Sequence, residues 1–155
     1  MDTTVRPLNR DECLAALRSH SVGRIAVTHQ ALPLIVPVNY VLEAEAVLFR
    51  TETDSALARG CRHSVVAFEI DDLTVDGQRG LSVHLVGFAE LVDDRAAVHA
   101  LQGRVTGSWE DGRDQVVGIT LGAVTGWVAI PTQAPAGGPG FMAPRCEAGE
   151  RLGAP

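Results

Sequence analysis

Two short runs carry groups that can hold an anion. Phe49-Arg50-Thr51 closes an apolar, strand-like segment with a guanidinium and a hydroxyl, and Asp54-Ser55 follows within a few residues as a helix start. Exposed N–H groups and the positive end of a helix dipole favour a phosphate at such a junction, and Arg50 adds a cation able to bind it bidentately. Upstream, Pro37-Val38-Asn39-Tyr40 ends a second apolar run. Pro37 donates no ladder hydrogen bond, and proline within sheets is confined to edges and bulges. The backbone near Val38 and Asn39 is therefore expected to be irregular, either offering groups to something other than a neighbouring strand or forming a simple bulge. Arg24 projects from a face of small apolar groups, where a guanidinium pairs with a carboxylate or faces an anionic ligand. His84 and Tyr40 are candidate general acids, and each also reads as a structural core or rim residue.

No other chemistry is spelled out. G-x-S-x-G and H-E-x-x-H are absent, and no Ser-His-Asp or Cys-His arrangement stands out. Cys13, Cys61 and Cys146 lack C-x-x-C spacing and the five histidines lack ligand-like spacing, which argues against zinc and for reduced thiols.

The elements that must position these residues are mostly strands. Asn9 caps a first helix, Glu12 completes a capping box, Leu8 is a staple, and Leu14 and Leu17 form an apolar edge that ends near His20. Such a helix covers an open end of a sheet. Residues 22–28 alternate as a half-buried strand, whereas 34–41 are almost continuously apolar and read as a strand covered on both faces. Residues 47–51 return as a hairpin. Asp54-Ser55 cap a short helix to about Arg59, closed by Gly60. Residues 64–71 and 81–92 are further strands, the second bent at Gly87. Asp93 caps a helix with Ala97, Val98 and Leu101 at helical spacing and Gly103 as its stop, and 115–121 and 124–130 are strands joined by a Gly122-Ala123 turn. Six or seven strands with short connections predict a mainly β protein, a closed antiparallel barrel with a few short helices.

With 155 residues, 46% hydrophobic and 21% charged, the chain is expected to form one domain over residues 1–133. Of the last 22 residues, 14 are Gly, Pro or Ala, so 134–155 read as a disordered tail. The net charge of −6 and the lack of a Lys/Arg cluster argue against nucleic acid as a partner. No apolar run reaches the ~18 residues of a membrane span and no leader pattern opens the chain, so no membrane partner and a cytoplasmic location are expected.

The order helix, "VGRIAVT", "LPLIVPVNYV", "VLFRT", short helix, "VVAFEIDD", "SVHLVGFAELV", helix, "SWEDGRDQVVGITLGAVTGW" resembles the pyridoxamine 5′-phosphate oxidase-like family of FMN-binding split barrels, over about residues 8–130. The resemblance implies a six-stranded split β-barrel working as a homodimer, with FMN in a groove between subunits and an oxidoreductase activity on a small molecule that is not named. It implies that Val38 and Asn39 lie along the isoalloxazine ring, that Arg50, Thr51 and Ser55 with the following Ala56 and Leu57 hold the phosphate, and that Trp109 approaches the flavin from the partner. Family members usually carry Lys at the position of Ala56 and often Arg at that of Trp127. One lost charged hydrogen bond costs about 1.5–3 kcal/mol, which Arg59 or Arg62 can offset. Other readings of the same arrangement are a non-catalytic flavin or haem binder, a cofactor-free dimeric interaction module, and a reductase using a deazaflavin.

Overall fold

The computed structural model of the chain describes residues 3–74, 78–93, 101 and 115–132. Helix α1, Arg10–Ser19, starts as its sequence requires. The Asn9 side chain accepts from Glu12 N at 2.9 Å while Glu12 Oε2 accepts from Asn9 N at 2.8 Å, a complete capping box. Arg6 adds a 2.8 Å ion pair to Glu12. The buried edge is Cys13, Ala16 and Leu17. Leu14, expected on that edge, only packs against the core's margin.

Eight strands follow one another as β1 (Thr3–Pro7), β2 (Val22–His29), β3 (Leu32–Glu43), β4 (Ala46–Thr51), β5 (Ser64–Leu73), β6 (Gly80–Val92), β7 (Gln115–Thr120) and β8 (Ala123–Pro131). They form one antiparallel sheet in the order β1-β8-β6-β5-β2-β3-β4-β7, and a β6–β7 pairing closes six of them into a barrel. The split lies in β6. Its first half, Gly80–Val86, pairs with β8, and its last residues, Ala89–Val92, pair with β7. Gly87 sits at the changeover, where a Cβ would lie 2.0 Å from Thr120 O. No side chain fits there, so the predicted bend has a steric basis. Strand β1 carries no sequence signal, being five residues with four of them exposed; it exists because β8 offers it an edge.

Inside the barrel, Phe68 and Tyr40 meet edge to face, with ring centroids 4.9 Å apart. Gly23 makes room for them, since a Cβ there would lie 2.2 Å from Phe68 Cζ. The Tyr40 hydroxyl donates to Leu17 O at 2.7 Å, which pins α1 over the barrel end. Helix α2, Ala56–Cys61, runs through Gly60 instead of stopping there. Gly60 packs directly on Val27, so the residue serves close approach and not termination.

Strand β3 departs from expectation twice. It is not covered on both faces: Ile35 is 67% exposed on the side opposite Val38 and Tyr40. Nor is it irregular at Pro37, which pairs in register with Arg24. Tyr40 N donates to Ser21 O, so by alternation the N positions of Pro33 and Pro37 face the other edge, which β4 leaves uncovered beyond Tyr40. The missing donors cost nothing there.

Residues 94–114 lie outside the described part except Leu101, which is helical and buried. The rest of the helix expected after Asp93, Trp109 and the tail from 134 fall outside it as well. Among the described residues no helix is long and apolar enough to cross a membrane.

Candidate functional site

Strands β3 and β4 pair from Glu43↔Ala46 to Tyr40↔Phe49 and then part. Past that point β3 stays with β2, while β4 stays with β7 as far as Thr51↔Gln115. The fork holds a cavity of about 240 Å³. Val36, Pro37 and Val38 of β3 form one wall, Arg50 and Thr51 of β4 the other, and Glu52, Ser55, Ala56 and Leu57 its end.

The polar end is built from few groups. Thr51 Oγ1 and Ser55 Oγ lie 3.1 Å apart, and Ser55 Oγ also accepts from Ala58 N at 3.0 Å as the N-cap of α2. One hydrogen bond between two hydroxyls uses one of their protons and leaves the other to donate to a ligand. Arg50 is half-buried and engaged within the chain, and among the described lining residues it is the one that carries a positive charge. Helix α2 has six residues, too few for its dipole to add much to that charge. Ala56 is exposed at the lip. Neither nearby arginine replaces a lysine there: Arg59 Nη1 donates to Asp54 O, and Arg62 lies 4.0 Å from Asp54 Oδ1.

Six of the residues singled out from sequence therefore meet in one place: Val38, Arg50, Thr51, Ser55, Ala56 and Leu57. Asn39, which alternation places on the face opposite Val38, is not among the residues that line the cavity. Trp109 lies outside the described residues, and Trp127 sits on β8 opposite Ser82, away from the fork. Sequence reasoning missed Val36 and Glu52. Val36 follows from the period of two once Val38 is assigned, but nothing local marks Glu52.

Other candidates have structural work. Tyr40 is 2% exposed and spent on Leu17, and burial raises its hydroxyl's pKa well above the usual range. His84 is on the outer face, with Nε2 3.0 Å from Ser82 Oγ and 3.2 Å from Glu69 Oε1. Arg24 pairs with Asp71 on that same face. Cys13 and Cys61 are buried thiols, unbridged, and burial pushes Cys61 up to about 12, which keeps it inert.

A fork in a closed barrel, with a guanidinium and two hydroxyls at its end, fits a specific group of proteins. The family model for pyridoxamine 5′-phosphate oxidase matches residues 9–129. The chain belongs to the pyridoxamine 5′-phosphate oxidase-like family. Rv0080 of Mycobacterium tuberculosis is 37% identical over 125 residues, covering 77% of this chain and 82% of that protein. The FAD-binding protein of Mycobacterium smegmatis has a similar structure, with a TM-score of 0.63 at 30% identity over 81% of this chain and 98% of that one. An FAD-binding protein of Mesorhizobium loti shares the fold at a TM-score of 0.67 and 23% identity, over 80% of this chain and 97% of that one.

Proposed function

We propose that this protein is a flavin-dependent oxidoreductase that holds the phosphate of FMN, or of a flavin nucleotide containing it, at the β3–β4 fork and acts as a homodimer on a small-molecule substrate. The observation that carries the reading is the fork cavity itself, where Arg50, Thr51 and Ser55 sit at one end of an apolar wall made by Val36 and Val38. Cation, hydroxyl donor and flat apolar surface are the donor set that a phosphorylated isoalloxazine needs. The family supports it, as does the likeness to the FAD-binding protein of M. smegmatis. When bound, the flavin supplies hydride or electron transfer. The chain's own residues bind and orient: Arg50 and one hydroxyl anchor the phosphate, while Val36 and Val38 exclude water from one ring face.

The cavity is smaller than the ~300–1,000 Å³ of most small-molecule sites, so the described residues supply only part of the enclosure. A second copy completes it in this reading. The test is the absorbance of freshly purified protein followed by FMN titration with fluorescence quenching, against riboflavin as the control. A flavin spectrum or micromolar FMN binding stronger than riboflavin binding is expected; neither at tens of micromolar removes the proposal, and a Soret band would make the protein a haem binder.

A second reading is a flavin binder without catalysis, favoured by the placement of Tyr40 and His84 away from the cavity. Flavin that binds stoichiometrically yet is reduced by no nicotinamide or organic donor would select it.

A further inference from the structure

We infer that a second cavity, at the start of β2, takes the pyrimidine edge of the flavin ring, with Arg24 donating to a ring carbonyl and Asp71 accepting from the ring N3–H. The inference rests on the flavin reading of the fork and assigns the other end of the same ligand.

This cavity has a volume of about 340 Å³, and its lining includes Ser19, His20, Ser21, Arg24, Pro37 and Asp71. It adjoins the fork. Pro37 lines both spaces and pairs in register with Arg24 across β2 and β3. Neighbouring strands lie about 4.8 Å apart, so the step from the open edge of β3 to Arg24 is the width of one strand. The fork by itself, at about 240 Å³, is below the ~300–1,000 Å³ of most small-molecule sites. A ring anchored through its phosphate at Thr51 and Ser55 and laid across Pro37 extends into the second space.

The chemistry of the ion pair decides which edge fits. Arg24 Nη1 donates to Asp71 Oδ1. This is a one-point contact, not the two parallel bonds of a bidentate pair, and neither side chain has a further partner among the described residues. Arg24 Nη2 therefore remains a donor and Asp71 Oδ2 an acceptor. A cyclic imide offers the complement, a carbonyl next to an N–H, and the isoalloxazine carries one at C4=O and N3–H. Ser21 adds a hydroxyl to the same lining for the second carbonyl. A bare carboxylate is a poorer match, because it brings no donor to Asp71. His20 is tied to the end of α1, with Nδ1 2.8 Å from Ala16 O, and serves as a wall. The Arg24 and Asp71 side chains are 52% and 26% exposed, so a ligand reaches them, and an ion pair this open contributes little to stability.

The experiment is titration of the full chain with FMN, riboflavin and N3-methyl-FMN, followed by fluorescence quenching, in wild type, Arg24→Ala and Asp71→Leu. Leucine keeps the bulk of Asp71 and removes the acceptor, so a discrimination that is merely steric survives it. Wild type is expected to bind FMN about tenfold more tightly than N3-methyl-FMN, the loss of one hydrogen bond to a charged group. Asp71→Leu should bring that ratio to about one. Arg24→Ala should weaken FMN and riboflavin alike, by about fivefold to tenfold, and leave the ratio between them unchanged. Thermal melts within a few degrees of wild type confirm that both variants fold. No discrimination against N3-methyl-FMN in wild type, a discrimination that survives Asp71→Leu, or an Arg24→Ala that leaves both affinities intact would each overturn the inference, while FMN binding more tightly than riboflavin would keep the phosphate reading. Absence of binding by all three ligands at tens of micromolar would remove the flavin reading and the inference with it.

Discussion

At the scale of single residues, Arg50 and Ala56 make the sharpest pair of tests. Arg50→Ala should weaken FMN binding by about 1.5–3 kcal/mol, the usual loss for a charged hydrogen bond, and Ala56→Lys should tighten it by a similar amount. Riboflavin should respond to neither, which separates phosphate recognition from loss of fold; quenching titrations read both. Cys61 offers a stability test. Burial holds its folded pKa at about 12, above the ~8.5 of a free thiol. The unfolded state thus releases the proton first, so the stability is whole below about pH 8.5 and is lost as pH rises toward the folded value. Melting temperatures between pH 8 and 11 should fall less steeply in Cys61→Ala than in wild type, even if its starting value is lower.

At the scale of elements, α1 and β3 differ in what holds them. Helix α1 is defined locally by its capping box and then fixed by Tyr40 to Leu17 O. Asn9→Ala should cost about 1 kcal/mol, the usual loss for an N-cap. In thermal melts this appears as a drop of a few degrees; no change would mean that tertiary packing alone holds the helix. Strand β3 depends on its neighbours. It keeps β2 along its inner edge and loses β4 after Tyr40, and that loss opens the cavity. Pro33 and Pro37 face the uncovered edge and prevent a strand from pairing there by default.

At the scale of the molecule, one part of the outer face of the barrel is an apolar patch beside the charged pairs of Arg24 and His84. Register places Ile35, Ala26, Ala67, Val86 and Ala123 side by side across five strands. Val65 and Phe88 form an adjoining pair, exposed by 71% and 40%. A contiguous surface of this kind is rare on a monomer, and it supports the proposed homodimer. Val86→Arg, a change on the outside of the barrel, should convert a sedimenting dimer to monomer and weaken flavin binding through the lost second wall. Wild type running as a monomer at micromolar concentration would end the dimer proposal.

Sequence alone determined the parts that depend on neighbours in the chain. The capping box at Asn9 and Glu12 needs three residues and no tertiary partner, and the alternation in β2 and β5 states its own buried face. Gly87 announces a bend because a glycine at the centre of so long a strand marks a bulge, a bend or a close approach of backbone. The fold class follows, as does most of the phosphate end, because Arg50, Thr51 and Ser55 are close in sequence. Tertiary structure decided the rest. Whether Pro37 breaks a strand or merely faces an open edge depends on where β4 stops. Gly60 reads as a helix end until Val27 packs on it. Strand β1 has no pattern of its own and forms only because β8 presents hydrogen-bonding groups. That Val36 and Glu52 line one cavity with Arg50 emerges only when the two strands part, since the geometry of a fork belongs to neither strand alone.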